Sequence, residues 1–146
     1  MKFETILVTT DFSAEADVAI PVAFQLAKEH GGSVVLAHVV EGFGIPNPLY
    51  PHYSATLSPQ EHARIDGEVR KALADRVPAE YRKEVVWETI TAAGEPAAEL
   101  ARLAEQVNAS LIVISSHGRT GLRRLALGSV AERVLRLSTG PILILR

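Results

Sequence analysis

Five short apolar runs recur along the chain, and longer stretches with helical periodicity separate them. The runs are rich in aliphatic and β-branched residues and span positions 5–9, 33–40, 84–91, 109–115 and 142–145. Near-continuous apolar runs of this length are typical of strands that helices cover on both faces, rather than of a sheet with one face in water. We therefore predict five buried β-strands at these positions.

The interval after the first run carries the signals of a helix. Ser13 is a good N-cap, and alanines and large apolar residues then recur as far as Lys28, with Gly31-Gly32 as the stop. Pro21 lies inside this pattern, where it lacks an N–H and its ring collides with the preceding turn. We therefore expect a helix that is kinked or that starts late.

Three further helices are indicated downstream. Ser58-Pro59-Gln60-Glu61 is a capping box with proline at the first helical position, and its helix runs to about Arg76. Gly94-Glu95-Pro96 opens the next helix, and the last runs from about Val130 to Leu137. The segment from Glu41 to Leu57, rich in glycine, proline and aromatic residues, has no such pattern and is expected to be a functional lid or a mobile insertion.

Strands and helices thus alternate from one end of the chain to the other. This alternation predicts one α/β domain over residues 1–146, with a five-stranded parallel sheet and helices on both faces. With right-handed crossovers, a strand order of 3-2-1-4-5 places the topological switch point between strands 1 and 4. Ligands of open α/β sheets bind at the carboxyl ends of the strands there. Those ends are Thr9-Thr10-Asp11 and Ser115-Ser116-His117-Gly118.

The loop after strand 4 has the composition of a phosphate cradle. Gly118 and Gly121 follow the strand, and Gly128-Ser129 leads into the last helix. Glycine lets a backbone bend and turn its N–H groups toward a ligand, and a helix N-terminus favours an anion. Between His117 and Arg136 the chain has five arginines, at 119, 123, 124, 133 and 136, against Glu132 alone, a local charge of +4. A solvated helix face is the alternative interpretation of these arginines.

Composition narrows the class of protein. The 146 residues carry a formal net charge of −2, which gives no general case for nucleic acid or an anionic membrane as partner. There is no cysteine, which excludes disulfides and thiolate metal sites and fits a reducing compartment. No apolar run approaches the roughly 20 residues of a membrane span, and the first residues do not resemble a signal peptide. We expect a cytoplasmic protein.

These features together resemble the universal stress protein family, and the resemblance covers nearly the whole chain. It rests on the opening segment 6–13, on Gly94-Glu95-Pro96 and on the stretch from His117 to Val134. Family members that bind ATP carry glycine, two residues, glycine, nine residues, and then glycine with serine or threonine. Gly118, nine residues and Gly128-Ser129 match this motif, whereas Ser115 stands at the first glycine position.

The resemblance implies an ATP site, with Mg²⁺ held mainly by the phosphates. Asp11 would lie near the ribose or adenine, Val39 would contact the adenine, and Ser115 to Gly118 would line the ribose and phosphate path. Gly128, Ser129 and Val130 would cradle phosphates. The candidate nucleotide contacts are Thr10, Asp11, Val39, Ser115, His117, Gly118, Arg119, Gly128, Ser129 and Val130.

Several of these residues have a structural alternative. Asp11 could be a turn residue or a helix cap, and Ser129 could serve with Glu132 as a capping box. His117 could contact a phosphate or hold the loop through a hydrogen bond. His38, inside an apolar strand, is interpreted as a core histidine with a satisfied hydrogen bond. His30, His52 and His62 have no spacing that suggests a metal site.

Three functions remain open at this point. The leading hypothesis is a stress-response module that binds ATP and presents a surface to an unknown protein partner. The alternative is a dimeric interaction module that binds no nucleotide because its loop has diverged at Ser115. The third is an enzyme with ATPase or phosphotransfer activity. Such activity would be slow, because no catalytic constellation and no Walker-type lysine are found. The apolar run Ile142–Leu145 lies at the predicted sheet edge, so we expect a homodimer through it, as the resemblance also implies.

Overall fold

The computed structural model describes residues 1–41, 58–117 and 127–146. Its five strands form one parallel sheet in the order β3-β2-β1-β4-β5, as the sequence predicts. Leu7 of the central strand is paired with Val35 on one side and with Ile112 on the other. The strands are β1 (Thr5–Thr9), β2 (Ser33–Val40), β3 (Val86–Ala93), β4 (Leu111–Ser115) and β5 (Ile142–Leu145).

Five helices cover both faces of this sheet. Ile6, Val8 and Val34 point into one apolar layer with the helices that precede β3, and Leu7 and Val35 point into a second layer with the last two helices. Both layers are sealed, because Phe24 in the first and Leu100 in the second are essentially inaccessible to solvent. The helices are α1 (Ala14–Asp17), α2 (Ala19–His30), α3 (Pro59–Asp75), α4 (Pro96–Gln106) and α5 (Ser129–Leu137).

The first helical interval is divided, and its main helix starts late, as Pro21 predicts. Ser13 caps α1 by accepting a hydrogen bond from the Ala16 N–H, and α1 ends after four residues. Val18 separates it from α2, in which Pro21 occupies the third position. The N–H groups of the first helical turn have no partner within the helix, so a proline costs little there.

Three boundaries, in two of the predicted strands, are wrong by two residues. The strand expected at 84–91 lies at 86–93, because the N–H groups of Glu84 and Val85 both donate to the Tyr81 carbonyl in the preceding turn. The strand expected at 109–115 begins at Leu111, because the Ala109 N–H closes the end of α4 by donating to the Ala104 carbonyl. In both cases the hydrogen bonds of a turn override the apolar character of the residues.

Hydrogen bonds of Asp66 and Arg70 with β3 and one buried side chain hold α3 on the sheet. Of its 17 residues, Leu73 is the buried one. Its N-terminus is closed by the predicted capping box: Ser58 accepts from the Glu61 N–H, and Glu61 accepts from the Ser58 N–H. In the ranges that the structure describes, no helix is long and apolar enough to cross a membrane.

Candidate functional site

A crevice of about 410 Å³ opens at the carboxyl ends of β1, β2 and β4, beside the N-terminus of α5. This is the switch point between β1 and β4, where the chain leaves neighbouring strands toward opposite faces of the sheet. Its volume falls in the range of small-molecule sites. The crevice is therefore the first place to look for a ligand.

The structure brings most of the predicted contacts to this one crevice. Gly118 and Arg119, together with residues 42–57, lie outside the described residues. The predicted nucleotide contacts of Gly118 and Arg119 and the predicted lid at 42–57 therefore remain predictions. The candidate contacts that line the crevice are Thr10, Asp11, Val39, Ser115, His117, Gly128, Ser129 and Val130. Their proximity follows from the strand order, and their role toward a ligand remains a prediction.

The segment 9–13 forms the first side of the crevice, called here the β1 wall. The Thr10 hydroxyl donates to Asp17 (2.5 Å) and accepts from the Phe12 N–H (2.9 Å). Asp11 accepts from both the N–H and the hydroxyl of Ser13. Asp11 is thus a turn residue, as the structural alternative predicts, and it also lines the crevice.

Phe12 gives this wall an unusual backbone. Its φ is +67°, a left-handed conformation that a bulky residue rarely adopts without support. Its ring packs against that of His38, with 4.4 Å between centroids, and the guanidinium of Arg76 lies over the ring at 4.5 Å. His38 is buried, and its Nδ1 is 2.9 Å from the Thr10 carbonyl oxygen, in agreement with a satisfied core histidine.

The segments 115–117 and 128–130 form the opposite side, called here the α5 wall. The Ser116 N–H donates to the Leu145 carbonyl (2.7 Å), and its own carbonyl accepts from the Gly128 N–H (2.8 Å). Ser116 therefore joins β4 to β5 and to the start of α5. The sequence places it in the predicted path from Ser115 to Gly118, although not among the candidate nucleotide contacts.

Hydrogen bonds within the motif hold His117. Its N–H donates to the Ser115 hydroxyl at 3.3 Å, and its Nδ1 is 2.7 Å from the Ser116 hydroxyl. The loop-stabilising alternative for His117 is thus present in the structure. Its Nε2 is buried with no hydrogen-bond partner in the described part of the chain. Ser115 is itself nine-tenths buried, so its hydroxyl stays on this N–H.

Gly128 is required by close backbone packing. A Cβ at this position would lie 2.3 Å from the Ser116 carbonyl oxygen, well inside contact distance. Gly128 is also the N-cap of α5, with an extended backbone. Glycine at this position thus has a structural cause, namely the close approach of the two segments that make the α5 wall.

The capping box predicted for Ser129 and Glu132 is wrong. Ser129 is the first residue of α5 rather than its cap, so its side chain is past the position from which a cap reaches back. Within the described residues, the helix start has no side-chain cap hydrogen bond. Glu132 instead pairs with Arg136 at 2.7 Å. In that part of the chain the first N–H groups of α5 are therefore not used by a capping side chain, and Ser129 and Val130 line the crevice.

The described lining of the crevice carries carboxylates, whereas the sequence predicts a loop rich in arginine. Asp11 and Glu41 are its carboxylates, and no lysine or arginine side chain lines the crevice in the described ranges. Arg133 is paired with Glu95 at 3.2 Å, so two of the five arginines neutralise acids nearby. The remaining three, at 119, 123 and 124, lie outside the described residues. An anion in the described part would rest on helix N–H groups rather than on cationic side chains.

The floor of the crevice is apolar. Val39 and Ile114, at the ends of β2 and β4, are buried, and Leu100 and Pro96 of α4 close the far end. Glu95 holds α4 there by capping it through the N–H groups of Ala97 and Ala98. Sequence reasoning finds Val39 but not Leu100 or Pro96, because a helix face that lines a cavity has the same periodicity as one that packs in a core.

An open parallel sheet in the order 3-2-1-4-5, with helices on both faces and a crevice at its switch point, defines the class of doubly wound α/β folds. The sequence model of the Universal stress protein family matches residues 2–146. The chain is 35% identical over 151 residues to universal stress protein YxiE of Bacillus subtilis (strain 168), covering 99% of both chains. The protein belongs to the universal stress protein family.

Solved structures agree with this assignment. Universal stress protein UspA from Lactobacillus plantarum has the same fold, with a TM-score of 0.76 over 100% of this chain and 99% of the other at 22% identity. A universal stress protein crystallised in complex with cAMP has a TM-score of 0.67 at 26% identity, over 100% of this chain and 98% of the other. A cyclic nucleotide is thus bound by one structural relative.

Proposed function

We propose that this protein binds ATP in the switch-point crevice and acts as a nucleotide-dependent module of the stress response in the cytoplasm. The observation that carries the proposal is the start of α5, which lines the crevice and has no capping side chain among residues 1–41, 58–117 and 127–146. Uncapped N–H groups at a helix N-terminus favour a phosphate. The complex of a related universal stress protein with cAMP supports a nucleotide as the ligand.

The residues present fit such a ligand. An adenine needs an apolar slot with a few polar groups at its edge, and Val39, Ile114 and Leu100 offer apolar surface beside the Thr10 and Asp11 turn. In this arrangement the base lies over Val39, the ribose lies between Asp11 and Ser115, and the phosphates reach Gly128, Ser129 and Val130. Gly118 and Arg119 would extend the phosphate path.

Mg²⁺ enters this proposal through the phosphates. In the described ranges no group of three or more histidine, aspartate or glutamate side chains is arranged to hold a metal ion. Magnesium is commonly bound through substrate phosphates and water rather than by a cage of protein ligands. The protein would contribute the N–H groups of α5 and the Ser129 hydroxyl, which orient the phosphates.

Calorimetry with ATP and Mg²⁺ tests the proposal. We expect saturable binding by the full chain, and adenosine should bind more weakly because it lacks the phosphates that meet α5. Mass spectrometry of the purified protein adds an independent measurement, since a retained nucleotide would be released on denaturation. No binding at millimolar ATP would overturn the proposal.

The edge strand β5 supports a homodimer as the assembled form. Ile142 and Ile144 pack against the layer of α4 and α5, and Leu143 and Leu145 pack against the opposite layer, yet all four are only half-buried. An apolar edge with unpaired backbone groups favours pairing with a second copy. Sedimentation equilibrium should show a dimer, and a monomer at micromolar concentration would contradict this part of the proposal.

One observation favours the alternative of a dimeric interaction module that binds no nucleotide. The Ser115 hydroxyl occupies the His117 N–H, which a glycine at position 115 would leave for a phosphate or ribose oxygen. If the dimer forms but calorimetry detects no ATP, the alternative is the better account. A protein partner would then be sought for the dimer itself.

A further inference from the structure

A chain of hydrogen bonds joins the crevice to the far end of α3. Asp17 uses one carboxylate oxygen to accept from the Thr10 hydroxyl at 2.5 Å, and the other accepts from Arg76 Nε at 3.1 Å. Thr10 is buried and lines the crevice, whereas Arg76 is the C-cap of α3. The Arg76 link, defined as Thr10, Asp17 and Arg76, thus connects a ligand-facing residue to a helix more than 40 residues away in sequence.

Arg76 contacts the β1 wall at more than one point. Beyond its ion pair with Asp17, its guanidinium donates to the Phe12 carbonyl at 3.5 Å and lies over the Phe12 ring. A further N–H of Arg76 donates to the Ala72 carbonyl at 3.1 Å, within α3 itself. The side chains of Arg76 and Asp17 are only 30% and 31% exposed, so water weakens their ion pair less than it weakens the fully exposed pairs of α3.

Phe12, which Arg76 contacts, is the residue with the strained backbone. Phe12 adopts its left-handed backbone only with outside support, and its ring forms one side of the packing around His38. If the Arg76 contacts were lost, the turn at Phe12 would relax, and Thr10, Asp11 and His38 would shift with it. Arg76 therefore acts on the crevice through other residues, as a positioning residue.

The same contacts matter to α3, which Asp66 and Arg70 also join to β3 through Thr91 and Thr89. Leu73 is its one buried residue, and its ion pairs Arg64–Glu68 and Lys71–Asp75 are exposed. Elements with few buried contacts open locally at low free energy. A contact that holds both α3 and the crevice wall makes the stability of one depend on the state of the other.

We propose that the Arg76 link couples the crevice to α3, so that a ligand contacting the β1 wall stabilises the docking of α3. The effect of a ligand on α3 rests on the proposed nucleotide function, whereas the existence of the Arg76 link does not. The coupling is reciprocal, since a change at Arg76 alters the crevice and a change at Thr10 alters α3. Occupancy of the crevice would thereby reach a surface helix that a protein partner can touch.

Two measurements without ligand test the link. In hydrogen-exchange mass spectrometry of the full chain, Thr10→Val should speed exchange of the α3 peptides by about three- to tenfold, because Asp17 loses one of its two partners. In NMR spectra of the five histidines, Arg76→Gln should move the ring signals of His38 and leave those of His30 in place. Arg76→Lys keeps the charge but not the fork of donors, so it should fall between Arg76→Gln and the native protein.

Lys71→Gln is the matched control. It removes a cation from the same helix, and its ion pair with Asp75 is exposed and has no contact with the crevice. It should leave the His38 signals in place. If Arg76→Gln leaves His38 unmoved, or if Thr10→Val leaves α3 exchange unchanged, the link is overturned. If Arg76→Gln proves too unstable to measure, Arg76→Lys carries the same test.

Addition of ATP and Mg²⁺ tests the ligand part. In the native protein α3 should exchange more slowly on saturation, and this protection should shrink in Arg76→Lys. If ATP binds and α3 exchange does not change, the coupling to ligand is wrong although the proposed function stands. If ATP does not bind, the proposed function fails, and the two measurements without ligand still decide whether the link exists.

Discussion

The two walls of the crevice use their polar groups in different ways. On the β1 wall, the Thr10 hydroxyl serves two partners, Asp17 and the Phe12 N–H, and Asp11 accepts from Ser13. On the α5 wall, no side chain in the described ranges caps the first N–H groups of the helix. A wall whose hydrogen bonds are satisfied within the protein provides shape, whereas a wall with open donors provides binding. The comparison assigns recognition of an anion to the α5 wall.

The largest effect is expected at Gly128, where the α5 wall touches Ser116. Gly128→Ala places a Cβ against the Ser116 carbonyl oxygen, so the wall must move. We expect a loss of about 1–3 kcal/mol in the free energy of unfolding, together with weaker ATP binding. Gly140→Ala is the control, because open space surrounds a Cβ there. Equal melting temperatures for the two variants would show that the approach at Gly128 is not tight.

Ser58 and Ser129 provide the next contrast, since both stand at helix starts. Ser58→Ala removes a complete capping box and should cost about 1 kcal/mol of stability without changing ATP affinity. Ser129→Ala removes no cap, so stability should change by less than about 0.5 kcal/mol while ATP affinity falls. Chemical denaturation and calorimetry on both variants measure this. A Ser129→Ala variant that binds ATP normally would remove its hydroxyl from the proposed site.

At Ser115, a substitution is expected to strengthen ATP binding by the α5 wall rather than to weaken it. Ser115→Gly frees the His117 N–H and should tighten ATP binding by about three- to tenfold. Ser115→Ala frees the same N–H but keeps the Cβ. If both variants tighten binding, the hydroxyl is the obstacle, and if only Ser115→Gly does, the Cβ is. Unchanged affinity in both would show that position 115 does not limit binding.

The smallest effect is expected at Asp66 of α3, outside both walls. The hydrogen bond from the Thr91 hydroxyl, and then that from Arg70, hold the pKa of Asp66 below its usual value of 3.8. A lowered pKa in the folded state stabilises the protein above the unfolded pKa, and this contribution is lost as the pH falls through the folded value. Asp66→Asn should therefore cost less than about 1 kcal/mol at pH 7 and a smaller amount at pH 2. Denaturation at both pH values checks this, and an equal cost at both would exclude the ionised carboxylate as the cause.

Much of the fold could be predicted from local patterns. Apolar runs of strand length, capping signals such as Ser58 to Glu61, and the alternation of strands and helices lead to the strand order and so to the switch point. The meeting of Asp11, Val39 and Gly128 follows from that order alone. Strand boundaries were less certain, because Ala109 and Val85 are apolar residues that belong to turns.

The contacts that support the β1 wall could not be predicted in the same way. Arg76 and Asp17 are 59 residues apart, and neither belongs to a motif. Phe12 adopts a left-handed backbone without the glycine or asparagine that would have signalled it. The Ser129 capping box was mistaken because the pattern of residues 129–132 also fits a helix that begins one residue earlier, at Ser129, with Gly128 as its N-cap. Contacts that depend on tertiary packing leave no periodic trace in the sequence.

The central claim is that the uncapped start of α5 binds the phosphates of ATP. The most direct test is an amide NMR titration of the full chain with ATP and Mg²⁺, compared with a titration using adenosine. Val130 and Ala131 amides should shift strongly with ATP and little with adenosine, while Ile6 and Leu7 amides in the middle of β1 stay in place. Absence of shifts at Val130 and Ala131 at millimolar ATP would contradict the claim.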